Sequence, residues 1–244
     1  QVQVWLNDGQ GNFTAGAALS GIGGAFALVD MNNDGFDDIV ALAGGGIVIW
    51  LNNGTGNGSF SMTGYYPYGT AGYFPAGVDF QPHVVAAAKI TTNGMWAVAV
   101  AGAGVIGRSN VRVFYGNSNG TLNPNPVDLP RSLEAYGYAI SELYFEDVNR
   151  NGAPAIVATA VWGSPVQVWG NDGSGNFSLT FTGSRLAYLK DINYFQSGAR
   201  FIDMDHDNIL DLVTLPWDIT GDGTTTVYWQ KGLGNSQFQT TRPI

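Results

Sequence analysis

The stretch D30-M-N-N-D34-G-F-D-D38-I-V decides how this chain is read, and it returns as D203-M-D-H-D207-N-I-L-D211-L-V. Each copy sets oxygen side chains at alternate positions: Asp30, Asn32, Asp34 and Asp38, then Asp203, Asp205, Asp207 and Asp211. A hard cation such as calcium takes roughly six to eight oxygens at about 2.3–2.6 Å, and a tight loop supplies them when every second side chain turns inward and a backbone carbonyl fills a gap. Phe36 and Ile209 stand where that carbonyl falls. Gly35 and Asn208 follow the third ligand, where a sharp turn favours residues tolerant of positive φ.

An EF-hand is the rival reading. That loop needs a bidentate Glu at its twelfth position and a helix on each side. The twelfth positions here are Ala41 and Thr214, within I39-V-A-L and L212-V-T-L, which read as buried strands. The chain is therefore expected to hold two calcium ions in loops between strands.

The chain also repeats itself. V2-Q-V-W5-L-N-D-G9-Q-G-N-F13 returns as V166-Q-V-W169-G-N-D-G173-S-G-N-F177. Weaker copies are I47-V-I-W50-L-N-N-G54, V111-R-V-F114-Y-G-N and T226-V-Y-W229-Q-K-G. The starts at 2, 47, 111, 166 and 226 are separated by 45, 64, 55 and 60 residues. A metal-type segment lies between successive copies. Two are intact. D147-V-N-R-N151-G-A-P-A155 is degraded, with Ala155 in place of the last carboxylate, and K89-I-T-T-N93-G-M-W-A97 is lost. Both are expected to be empty of calcium.

Each unit reads as four short strands separated by Asn-Asp-Gly, Asn-Gly and Gly-Asn turns. Four-stranded units at this period predict an all-β chain, a β-propeller of four-stranded blades forming a single domain over residues 1–244. The only helix-like stretch, R131 to F145, reads as a long loop entering a strand. Four first-and-second strand pairs face five third-and-fourth pairs, giving about four and a half repeats. The unmatched pair from Val2 to Phe13 is expected to be completed in trans, by self-association or by another chain, or by further residues of the same precursor, and closure of a ring against T226-V-Y-W would refute this.

With these motifs in place, the chain resembles the FG-GAP/VCBS repeat. The resemblance rests on D-x-N-x-D-G-x-x-D-[IL]-V after an apolar strand, then V-x-V-W-L-N-N-G-x-G-x-F, and it covers nearly the whole chain. It implies a β-propeller, integrin-like in type, with calcium in the blade loops. The metal ligands by this resemblance are Asp30, Asn32, Asp34, Asp38, Asp203, Asp205, Asp207 and Asp211. The third-to-fourth strand segment is also similar to mushroom lectins of this propeller type, which bind N-acetylglucosamine or sialic acid. The blades here have diverged from one another, unlike the near-identical blades of those lectins.

Composition narrows the function. Net charge is −9, which two calcium ions bring to −5 (−9 + 4). Either value argues against nucleic acid and against an anionic membrane surface, both of which recruit Lys and Arg. There is no cysteine, so no disulfide scaffold. The longest apolar run, W96 to G107, is short and glycine-rich for a bilayer span. The chain begins at Gln1, read as processing or as a fragment, and calcium loops suit an extracellular setting, where calcium is millimolar. A secreted or surface-displayed protein is expected. Five Asn-x-Ser/Thr sequons, at Asn12, Asn53, Asn57, Asn119 and Asn176, read either as N-glycosylation sites or as the hairpin turn of the repeat.

Catalysis is thinly provided for. The two histidines, His83 and His206, lie apart, and no G-x-S-x-G elbow occurs. Most Asp residues are claimed by metal, although a carboxylate pair for glycoside hydrolysis stays open. Trp5, Trp50, Phe114, Trp169 and Trp229 share one repeat position and read as packing between blades. Tyr65, Tyr66, Tyr68 and Tyr73 read as part of a long connection, and Trp162 and Trp217 as loop residues. Such aromatics suit sugar stacking or protein contacts, or a lid over blade edges. The expected role is a calcium-stabilised, non-enzymatic binding module whose partners are glycans or extracellular proteins. The alternatives are a structural or adhesive protein and a polysaccharide-degrading enzyme.

Overall fold

The structure, a computed structural model, describes residues 1–68, 81–103, 110–130, 140–160, 166–183, 196–216, 227–239 and 242–243. Among the described residues there is no helix, and hence none long and apolar enough to cross a membrane.

A hairpin comes first: β1 (Val2–Asn7) and β2 (Phe13–Leu19). Four antiparallel four-stranded sheets follow. Blade one is β3 (Phe26–Val29), β4 (Asp38–Ala43), β5 (Gly46–Asn52) and β6 (Phe60–Pro67). Blade two is β7 (Gln81–Lys89), β8 (Trp96–Ala103), β9 (Asn110–Tyr115) and β10 (Val127–Asp128). Blade three is β11 (Ile140–Glu146), β12 (Ala155–Ala160), β13 (Gln167–Asn171) and β14 (Phe177–Thr182). In blade four, β15 (Gln196–Ile202), β16 (Asp211–Pro216) and β17 (Tyr228–Gln230) are followed by a small hairpin, β18 (Gly232–Gly234) and β19 (Gln237–Phe238), before β20 (Arg242–Pro243) pairs with β17. The chain is thus an all-β propeller-type array of four blades and a leading half-blade. Residues 131–139 lie outside the described residues, but the strand expected to follow them is β11.

Strand sequences follow from burial on both faces. Blade one packs on blade two through Val40, Leu42, Ile47 and Ile49 of one face, which meet Trp96, Val98, Val100 and Phe114. Its other face, Ile39, Ala41 and Val48, meets Val2, Val4 and Leu19 of the half-blade. Blade two likewise turns Ala97, Ala99 and Ala101 towards Leu143, Ile156 and Trp169 of blade three. Sheets covered on both sides read as continuous apolar runs rather than alternating ones, which explains I39-V-A-L and W96-A-V-A-V.

In the half-blade, blade one and blade three the repeat aromatic sits at a strand irregularity. Strand register shifts between Gln3 and Trp5, between Ile49 and Trp50, and between Val168 and Trp169. A bulge re-aims the side chain that follows it, and here it turns the aromatic onto the preceding blade. Phe114 is fully buried against blade one and Trp169 is 1% exposed against blade two. Among the described residues no blade packs on Trp5, which is 59% exposed, so the packing role read for it from the repeat does not hold in this structure. Phe13 beside it is equally exposed.

Trp169→Ala is expected to cost about 3–5 kcal/mol, the range for deleting a large buried aromatic. Trp5→Ala, at the same repeat position, is expected to fall within about 0.5 kcal/mol of wild type, as for an exposed side chain. Urea unfolding of the two variants checks the contrast; equal losses would contradict the assignment of this position to an inter-blade socket.

Candidate metal centre and ligand cleft

Loop one joins β3 to β4, and its side chains fold it locally. Asp30 accepts the backbone N–H of Asp34 at 3.0 Å and of Gly35 at 3.1 Å. Asp34 Oδ1 accepts the N–H of Phe36 at 2.9 Å, and Asn32 donates its amide to Asp34 Oδ2, also at 2.9 Å. Loop two joins β15 to β16 in the same way. Asp203 Oδ2 accepts the N–H of Asn208 at 3.0 Å and Asp207 Oδ1 that of Ile209 at 2.9 Å. The fourth and sixth positions are left-handed in both loops: Asn33 and Gly35 at φ 59° and 88°, His206 and Asn208 at 62° and 70°. Gly35 and Asn208 were legible as such. His206, an exposed residue, carries no sequence signal for a left-handed position.

Carboxylate oxygens of Asp203, Asp205 and Asp207 all lie within 4.8 Å of one another. Ligands on opposite sides of a calcium ion would be about 4.6–5.2 Å apart, twice the metal–oxygen distance. Asp203 Oδ1 is buried and has no hydrogen-bond partner among the described residues, an oxygen turned inward with nothing to accept from. The donor set, all hard oxygen, and this orphaned atom fit a divalent cation. Asp30, Asn32 and Asp34 offer the matching set in loop one. Phe36 and Ile209 follow at the positions expected to lend a carbonyl.

The last carboxylate of each motif has a second task. Asp38 is fully buried, and its two oxygens accept the N–H of Met31 and of Asn52, each at 2.8 Å. Asp211, equally buried, accepts from Met204 at 2.9 Å and Gly232 at 2.8 Å. Each therefore clasps the start of the metal loop to the end of the third strand, and each oxygen keeps a lone pair for a cation. Burial pushes the Asp38 carboxyl up, partly offset by the backbone N–H groups of Asn52 and Met31. Gly232 has no alternative at its position: a Cβ there would meet the Leu210 carbonyl oxygen at 2.3 Å.

The degraded loop keeps the backbone of an intact one. Asp147 accepts from Asn151 at 3.0 Å and Gly152 at 2.7 Å, and Arg150 and Gly152 are left-handed at φ 51° and 77°. Its middle ligand position, Asn149, instead accepts the N–H of Ser236 at 2.9 Å and donates to Ser236 Oγ at 3.2 Å, which docks hairpin β18–β19 on blade three. In the lost loop, the Lys89 ammonium stands 5.0 Å over the Trp96 ring.

The docked hairpin closes one side of a polar cleft of about 320 Å³, lined by Asn151, Asp172, Ser178, Thr180, Asn235 and Ser236 among others. The side chains of Ser178 and Asn235 make no hydrogen bond to another described residue. Asp172 is held below the usual carboxylate range by the Asn176 side-chain amide and the N–H groups of Ser174 and Asn176. Sequence reasoning missed this cleft because its walls come from a turn of blade three and a hairpin of blade four, with no motif joining them. A second cavity of about 540 Å³ lies among the first strands of the blades, with Val84, Val85, Leu143, Glu142, Glu146 and Arg200 in its walls. There Arg200 pairs with Glu142 at 3.6 Å.

The aromatic candidates need correcting. Tyr65 and Tyr66 lie on β6 rather than in a long connection. Tyr66 and Tyr68 are 9% and 4% exposed and belong to the core between blades one and two, where they cannot stack on a ligand. Tyr65 is exposed, with its hydroxyl donating to the Gly44 carbonyl at 2.9 Å. Tyr73, Trp162 and Trp217 lie outside the described residues. His83 is not isolated: its Nε2 lies 2.6 Å from the Ile140 carbonyl oxygen, joining blade two to blade three. The sequon residues Asn12, Asn53, Asn57, Asn119 and Asn176 are all exposed in turns. Asn12 and Asn176 donate Nδ2 to Asp8 and Asp172, each at 2.7 Å, as turn caps.

The sheets and loops together define a repeat protein of propeller type with acidic loops between the first and second strands of blades one and four. The FG-GAP-like repeat matches residues 30–82, which takes in the acidic loop and strands β4 to β6 of blade one. No curated protein matches the chain. Among solved structures it is similar to a lectin of Agrocybe aegerita, described for its specific recognition of non-reducing terminal N-acetylglucosamine, at 16% identity and a TM-score of 0.37. That similarity covers 99% of this chain and 73% of the lectin.

Asp38→Ala and Asp211→Ala each strand one buried and one part-buried N–H group and are expected to cost about 2–4 kcal/mol even in chelator. Asp205→Ala, which accepts from no backbone donor among the described residues and loses only a partly exposed ion pair with Lys231, is expected to cost about 1 kcal/mol or less in chelator and more when calcium is present. Thermal unfolding with and without chelator separates the two classes; if Asp211→Ala were silent in chelator, the clasp would be wrong.

Proposed function

We propose that this chain is an extracellular, calcium-stabilised binding module whose ligand is a neutral glycan, held in the cleft between blade three and hairpin β18–β19. One observation carries the reading: the cleft is walled by amide, hydroxyl and carboxylate groups drawn from two blades. Sugar hydroxyls both donate and accept, and Asn amides with Ser and Thr hydroxyls answer in kind. Ionised Asp172 accepts from hydroxyls and repels anionic sugars. The volume falls at the low end of small-ligand pockets, about 300–1,000 Å³, enough for a terminal residue rather than a long chain. The central cavity suits this role less, because its Glu142 and Arg200 already answer one another.

Binding rather than catalysis is the role, and calcium is structural, since loops that saturate the ion leave no open position for a substrate. An ion bound only by the folded state stabilises by about 2.7 kcal/mol per site at a hundredfold excess over Kd, and millimolar extracellular calcium keeps even modest sites filled. On a glycan array, the protein is expected to bind neutral glycans, and Thr180→Val with Asn235→Ala is expected to weaken binding by about tenfold or more, each lost hydrogen bond being worth about 0.5–1.5 kcal/mol. An array without binding, or binding indifferent to the double variant at unchanged Tm, would sink the reading.

A second reading is favoured by the half-blade. Its Trp5 and Phe13 are exposed at positions that the other blades bury or half-bury, and among the described residues β1–β2 has no first-and-second strand pair. Such a surface fits assembly with further strands of this repeat type, which would make the protein structural or adhesive. Sedimentation of wild type against Trp5→Ser with Phe13→Ser tests it: assembly lost in the variant supports this reading, and monomers throughout dismiss it.

A further inference from the structure

The two cation loops are not equivalent. Loop two places four carboxylates at ligand positions, Asp203, Asp205, Asp207 and Asp211, whereas loop one places three, with Asn32 as its amide. Affinity in such loops rises with ligand charge, so charge alone ranks loop two the tighter. The surroundings reverse that order. The Lys231 ammonium bridges Asp205 and Asp207, at 2.6 Å from the latter. The Arg150 guanidinium stands 3.5 Å from Asp203 and donates to Asn208 Oδ1. Counting these, loop two carries −4 + 2 = −2 and loop one −3, for among the described residues no salt bridge reaches Asp30, Asp34 or Asp38.

Position makes Lys231 more than a neighbouring charge. Its backbone is fixed on both sides: Gly232 donates to Asp211 at 2.8 Å, and the Lys231 carbonyl accepts from Gln239 at 2.8 Å. The side chain reaches back from this fixed point to the middle of the ligand set. Two cations do not share one pair of carboxylates at contact distance without strong repulsion.

Resting on the calcium reading above, we infer that Lys231 is an internal competitor for the loop-two cation. Calcium enters that loop only as the ammonium swings out, so loop one fills first and loop two at higher calcium. Without calcium, Lys231 balances the carboxylates and holds loop two folded.

Calorimetric calcium titration of wild type, Lys231→Met, Arg150→Met and Asp34→Ala tests this. Wild type is expected to show two unequal sites. Lys231→Met keeps the side-chain length without charge and is expected to tighten the weaker site by roughly tenfold, about the worth of two partly exposed ion pairs, leaving the other unchanged. Arg150→Met is expected to act in the same direction with smaller effect, and Asp34→Ala to remove the tighter site. Two sites whose affinities ignore Lys231→Met, or an Asp34→Ala variant that loses the weaker site, would overturn the competitor role while leaving calcium binding intact. No calcium binding in any variant would overturn both.

Discussion

Everything in this structure depends on sheets that are covered on both faces by other sheets. A lone four-stranded sheet of these sequences would expose Ile, Val and Ala on two sides, so no blade has a stable surface of its own. Each instead completes its neighbours, and stability is shared between adjacent units rather than gathered in one core. Small residues on one partner make room for large ones on the next, as Ala97, Ala99 and Ala101 do opposite blade three and its Trp169. The metal loops, the hairpin and the cleft all hang from edges that this stacking holds in place.

The loops show how local and tertiary forces divide the work. Their shape comes from carboxylates and amides accepting nearby N–H groups, and it survives in the degraded loop without its last carboxylate. That loop serves instead as a dock, Asn149 holding Ser236 at the position where the intact loops carry Asn32 and Asp205. Asp38 and Asp211, by contrast, bind the loop to the third strand and so link local shape to the sheet.

Much of this was legible in the sequence because its signals are short-range. The Asp spacing, the Asn-Gly turns and the run V-x-V-W each act within a dozen residues, and they yielded the blades, their four-and-a-half count and the acidic cluster. What escaped depends on distant partners. Tyr66 and Tyr68 look like loop aromatics until β6 extends through Pro67 and blade two covers them. Trp5 looks like core until the neighbour that buries its counterparts is missing. Lys231 is an ordinary lysine until the fold carries it to Asp205 and Asp207. The cleft has walls from two blades and no motif of its own.

The repeat aromatic, set beside a bulge in the half-blade, blade one and blade three, gives those units a front and a back. The front carries the re-aimed ring and the back carries the surface that receives it, so all the contacts run in one sense, like bricks with a tongue on one side and a groove on the other. Such an interface is heterologous, and repetition of it closes a ring or extends a row. A two-fold dimer through the Trp5 face would set tongue against tongue and leave both grooves vacant. A contact made through that face would therefore have a direction, set by which side carries the ring.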